Sequence, residues 1–178
     1  DESGVTTYCY DYDAARRIQK VSTNFSRSGL ARVQEVEYTY YSDNLISTMT
    51  WKDNGSTVAT WTYGYDGAGR LSSVTNTFGE SVQYTYDDEG KITAQTNGNG
   101  TVTDYTYYQP RGWLSGIEHR LGQTPFASYD LEYDDGLNTV GNLTLVTELD
   151  NSVVSYEYDD LYRLVSDVRT GTNPYSRT

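Results

Sequence analysis

The side chains best equipped for chemistry are carboxylates bunched where turns are expected: Asp87, Asp88 and Glu89; Asp134 and Asp135; Asp159 and Asp160. Calcium takes about 6–8 oxygen ligands, and such clusters could contribute to a set of that kind. The spacing of an EF-hand loop is absent, and so is the Gly-Gly-x-Gly-x-Asp nonapeptide of calcium β-rolls. The same carboxylates also read as turn formers that keep the chain soluble. Calcium is therefore the one cofactor worth weighing, and no other is expected. A basic residue follows several of these turns (Arg70, Lys91, Arg163) and could pair with a carboxylate of its own or a neighbouring turn. Exposed pairs of this sort contribute roughly 0–1 kcal/mol.

Nucleophilic catalysis has little to draw on. His119 is the only histidine, and neither Glu118 nor Ser115 makes a dyad with it at strand spacing. Cys9, the only cysteine, falls on the face opposite Tyr8, Tyr10 and Tyr12, with no histidine near it in sequence. There is no His/Cys cluster of zinc spacing and no glycine-rich phosphate loop. We expect no enzyme. Aromatic faces on a β surface can stack on sugars, which singles out Trp51, Trp61 and Trp113. Trp61 shares a face with tyrosines and reads as core. Trp113 sits in an irregular turn, is expected to be exposed, and is the candidate ligand contact. Asn-x-Ser/Thr acceptors at Asn24, Asn54 and Asn142 would matter only in a glycosylating source.

The elements that position these residues repeat. A tyrosine, usually followed by Asp, precedes a turn and then an aliphatic residue, as in Tyr65-Asp66-Gly67-Ala68-Gly69-Arg70-Leu71. Tyr86-Asp87 through Gly90 to Ile92, Tyr12-Asp13 to Ile18 and Tyr158-Asp159 to Leu164 keep the same spacing. The seven anchors are Tyr12, Tyr40, Tyr65, Tyr86, Tyr107, Tyr133 and Tyr158, spaced 21–28 residues apart, and we read residues 1–178 as one array. A fixed-period repeat sets the architecture before any local reading. Tyr133-Asp134 runs to Leu143 through a longer turn, and Tyr107 runs to Leu114 through Pro110, which cannot donate to a ladder. Longer connections are where function tends to sit.

The segments before the anchors alternate with period two. Val82, Tyr84 and Tyr86 oppose Gln83 and Thr85; Ala59, Trp61, Tyr63 and Tyr65 oppose Thr60, Thr62 and Gly64. That is the signature of a half-buried strand. The turns follow: Asp bonds backbone two residues on, and Gly accepts positive φ. A second strand begins at the aliphatic residue, where Leu71 and Val74 lie three apart, so a β-bulge is expected there. Asn54-Gly55 marks the hairpin to the next repeat. The fold class is all-β, an antiparallel meander of tandem hairpins, with no sustained helical period.

Bulk composition agrees. Nineteen Tyr against 3 Phe in 178 residues imply a thin, half-wet core in which hydroxyls reach partners. A net charge of -12 argues against nucleic acid and anionic membrane surfaces. No apolar run is long enough to insert into a membrane. The chain opens close to one repeat and ends soon after another, so it is expected to be a piece of a longer protein.

These residues resemble the YD repeats of the RHS/YD-repeat family; Gly69-Arg70-Leu71 and Gly141-Asn142-Leu143 match its two common endings. The resemblance runs from about Tyr10 to Val168. It implies a long antiparallel sheet spiralling into a hollow shell, of which this chain would be a portion of wall. In bacterial RHS toxins and insecticidal toxin complexes such a shell encloses a toxic segment; in teneurins a similar shell serves adhesion. The resemblance thus implies a secreted or cell-surface bacterial scaffold, with toxin cargo as a partner. The other partners expected are the remaining repeats of a parent chain, further copies of this chain through sheet edges, or a surface glycan. The alternative is an adhesive or filament-forming module using Tyr/Trp patches or sheet edges. No counterpart of the self-cleaving core segment of toxin-bearing members is present, so no catalytic residue is carried over.

Overall fold

A computed structural model describes residues 4–134 and 140–177. Asp135 and the residues Gly136 to Thr139, part of the long turn noted above, lie outside the described residues. The described chain is all strand and turn. β1 (Val5–Tyr12), β2 (Ile18–Arg27), β3 (Leu30–Tyr40), β4 (Ile46–Asp53), β5 (Ser56–Tyr65), β6 (Leu71–Asn76) and β7 (Ser81–Tyr86) come first. β8 (Ile92–Asn97), β9 (Thr101–Tyr107), β10 (Leu114–Leu121), β11 (Thr124–Tyr133), β12 (Leu143–Glu148), β13 (Val153–Tyr158), β14 (Leu164–Thr170) and β15 (Tyr175–Arg177) follow. They stand in chain order in one antiparallel sheet. Two compact units divide within β7, residues 1–83 and 84–178. Among the described residues no helix is long and apolar enough to cross a membrane.

In the first unit the bulge at the start of each second strand explains the three-residue aliphatic spacing. Tyr63 pairs with Val74 and Gly64 with Ser73, but Tyr65 pairs with Leu71, so Ser72 is skipped. The skip returns Leu71 to the face that carries Tyr63, Tyr65 and Val74. The same shift sets Tyr10 and Tyr12 opposite Val21 and Ile18, and Tyr38 and Tyr40 opposite Met49 and Ile46. The second unit repeats it with Ile117 and Leu114, and with Val146 and Leu143.

The Tyr face is the wetter kind of core that the composition implied. Ala59 and Val154 are the buried apolar residues among those described, while Val82, Tyr84 and Tyr86 are half-buried and Gln83 and Thr85 exposed. The opposite face is a polar lattice. In the first unit Lys20 bridges Asp11 at 3.2 Å and Glu35 at 3.3 Å, and Lys52 meets Glu37 at 2.7 Å. Hydroxyls of Thr50 and Thr60 pair at 3.0 Å across two strands. In the second unit Arg120 meets Asp104 at 2.6 Å. One face thus carries rings and aliphatics, the other solvated pairs.

Candidate functional site

The antiparallel order brings the turns after the anchors to one rim within each unit. Each clear copy closes the same clamp. Asp66 Oδ1 accepts the N–H groups of Ala68 and Arg70, both at 2.9 Å, while Oδ2 takes the Arg70 Nε at 2.7 Å. Asp13 holds Ala15 and Arg17, and Asp159 holds Leu161 and Arg163, in the same manner. Asp87 accepts from Glu89 and Lys91, with Lys91 Nζ also against Glu89. The basic residue therefore pairs inside its own turn. These bonds favour the charged carboxylate. The Arg70 and Lys91 N–H groups chiefly hold Asp66 and Asp87 below the usual carboxylate range, as the Arg17 N–H does Asp13; for Asp159 it is the Arg163 guanidinium.

The residue before Arg17, Arg70, Lys91, Asn142 and Arg163 sits in the left-handed region: φ is 77° at Gly69, 87° at Gly90 and 82° at Gly141, and 64° at Arg16 and 61° at Tyr162. Glycine takes this conformation without strain, which is why it recurs there; Arg16 and Tyr162 accept the strain for the sake of the clamp.

Successive repeats are stitched through the anchors. Tyr40 donates its hydroxyl to the Ile18 carbonyl at 2.6 Å, and Tyr65 to Ile46 at 3.0 Å. In the second unit Tyr107 donates to Ile92, Tyr133 to Leu114 and Tyr158 to Leu143, at 2.8–2.9 Å. Each acceptor is the aliphatic residue that follows the preceding repeat's turn. The preceding basic residue also covers the ring: Arg17 lies 4.3 Å above Tyr40 and Lys91 5.3 Å from Tyr107. Burial pushes the Tyr65, Tyr107, Tyr133 and Tyr158 phenols up. Phe would fill the same space but make no such bond, which accounts for the excess of Tyr.

The RHS repeat family matches residues 65–101 and 86–124, two overlapping windows that each begin on an anchor tyrosine. Residues 65–124 carry RHS repeats. Solved structures give the same fold at low identity. The TcdB2-TccC3 crystal structure matches at 19% identity and a TM-score of 0.72 over 89% of this chain. The same complex without its hypervariable C-terminal region, and the Photorhabdus luminescens Tc holotoxin pore, each match at 20% identity and 0.74 over 94%. This chain spans 9% of the length of those chains. No curated protein sequence matches it.

The second and fifth turns have no Asp directly after the anchor with which to form the clamp. In the second, Tyr41 takes the Asp place and Leu45 the basic place, and the Tyr41 hydroxyl donates to the Tyr63 carbonyl at 3.0 Å. In the fifth, Tyr108 and Trp113 take those places, with the Tyr108 N–H bonded to the Trp113 carbonyl at 2.7 Å. Trp113 does not stand free, as the sequence suggested. It is half-buried, 5.2 Å from the Tyr133 ring and seated on Gly141, where a Cβ would come within 2.3 Å of the indole. The missing side chain at Gly141 makes that seat, and nothing near Trp113 in sequence announces it.

Among the described residues His119 has no carboxylate partner: its Nδ1 meets the Thr103 hydroxyl at 2.9 Å and its ring stacks on Phe126. Cys9 is exposed beside the Asn24 amide. Among the described residues no group of three or more His, Cys, Asp or Glu is placed to hold a metal ion. The carboxylates weighed for calcium at Asp87 and Asp159 face backbone N–H groups and the following Lys or Arg. Sequence reading also missed a neutral clamp on the opposite rim. Asn76 Oδ1 accepts from Phe78 and Glu80, both at 3.0 Å, and its amide donates to Glu80 at 2.6 Å. The signal was present, since Asn76, Gly79 and Glu80 keep the spacing of Asp66, Gly69 and Arg70.

Proposed function

We propose that this RHS-repeat chain is a length of wall in the shell of a large exported bacterial protein, non-enzymatic in itself, and that the shell encloses a toxic segment. The observation that carries this reading is the stitch. At the clear turns the carboxylate and the cation are engaged within their own turn, and the phenols of Tyr65 and Tyr158 are engaged with the preceding repeat. Solenoid-like arrays of this kind gain stability by joining each unit to its neighbour. The container and its cargo follow the family resemblance, and the fold shared with the TcdB2-TccC3 structures supports it.

A second reading has its own observation. β1 pairs with β2 alone among the described strands, and it exposes Val5, Tyr8, Tyr10 and Tyr12. An open edge with apolar side chains invites strand pairing between chains. Light scattering with negative-stain imaging of the purified 178-residue chain separates the two. Discrete monomers are expected for a piece of wall; regular filaments would overturn that reading and make the edge the functional contact.

A further inference from the structure

We infer that the fifth turn is a binding cleft for a neutral saccharide. Tyr108, Gln109, Pro110, Arg111, Trp113, Glu132 and Tyr133 line a recess of about 380 Å³, inside the range of roughly 300–1,000 Å³ for small-ligand clefts.

The contrast with the clear turns carries the argument. At Asp13, Asp66, Asp87 and Asp159 the polar groups satisfy one another within the turn. At the fifth turn they do not. The side chains of Gln109 and Glu132 make no hydrogen bond or ion pair among the described residues, and neither does the Tyr108 hydroxyl. The Arg111 guanidinium lies 4.7 Å from the Trp113 ring centre, with no carboxylate partner described. The equivalent phenol of the second turn, Tyr41, does find a backbone carbonyl. Four exposed polar groups at one recess are thus unpaired among the described residues and open to an incoming partner, and Tyr108 keeps 43% of its surface open.

The chemistry of that set selects the ligand class. Arg111 and Gln109 donate, Glu132 accepts, and the Tyr108 hydroxyl does both. Vicinal sugar hydroxyls both donate and accept, so one pair can bridge a carboxylate and a guanidinium. The C–H face of a pyranose suits the aromatic floor of Tyr108, Trp113 and Tyr133. The charges of Arg111 and Glu132 balance, which favours a neutral ring over an anionic one. This goes beyond the scaffold reading and does not depend on it.

The test follows indole N–H resonances of the intact chain while neutral mono- and disaccharides are added, with N-acetylneuraminate and an Arg-rich peptide as competing classes. The three tryptophans give separate signals, and Trp113→Phe assigns the one of interest. The expected result is a saturable shift of the Trp113 signal with a neutral sugar, Trp51 and Trp61 holding still. Tyr108→Ala and Glu132→Gln, checked by circular dichroism for an unchanged sheet, should each weaken binding about tenfold. Three results would overturn the inference: no saturable shift with any neutral sugar, unchanged affinity in both variants, or tighter binding of the anionic sugar or the peptide.

Discussion

Replacing Tyr133 with Ala should destabilise the second unit by about 2–4 kcal/mol, at or just below the low end of the range of about 3–5 kcal/mol for removing a large buried aromatic, because the ring is only half-buried. Three interactions meet at this residue. Its hydroxyl donates to Leu114 at 2.8 Å, its ring packs 5.2 Å from Trp113, and Tyr108 meets it edge-on at 6.2 Å. Ala keeps none of them and leaves the Trp113 indole with an open side. Urea unfolding followed by tryptophan fluorescence and by circular dichroism reports the loss. A change no larger than that of Glu157→Ser, on the opposite face, would mean that the Tyr face is not where the sheet gains its stability.

Gly141→Ala should cost a comparable amount by another route. Here φ is 82°, a region that costs an L-residue roughly 1–2 kcal/mol. The added methyl would also stand 2.3 Å from the indole, and overpacking of this kind typically adds about 1–3 kcal/mol. The sum is about 2–5 kcal/mol, with a displaced Trp113 signal. The comparison with Gly67→Ala is informative, since a Cβ at Gly67 meets nothing within 4 Å. Equal, small effects at both positions would mean that Trp113 is not seated on Gly141.

Much of this architecture was legible in the residues. Period two before each anchor placed the strands, and the three-residue step from Leu71 to Val74 announced the bulge that the register contains. Asp at the turn and Gly before Arg70 announced the clamp, because both act within five residues of chain. What stayed hidden depends on partners outside the repeat. The acceptor of the Tyr133 hydroxyl is a carbonyl of the preceding repeat, and backbone carbonyls carry no sequence signature. Trp113 read as exposed because its own neighbours are polar and irregular; its seat is a glycine from the following turn. The aromatic floor around it was visible as a ligand candidate, whereas the unpartnered Gln109, Arg111 and Glu132 emerged only once the other turns were seen to close on themselves.

Tyrosine hydroxyls, and not only the bulk of the rings, join one repeat to the next. The direct measurement is urea unfolding of the Tyr65→Phe, Tyr133→Phe double variant against the unchanged chain. Each substitution removes one oxygen and keeps the ring, and the two residues lie in different units. The expected result is a loss of about 1 kcal/mol per hydroxyl, adding to about 2 kcal/mol with an unaltered urea slope. Stability equal to the unchanged chain would contradict it, and would leave the rings alone to hold the repeats together.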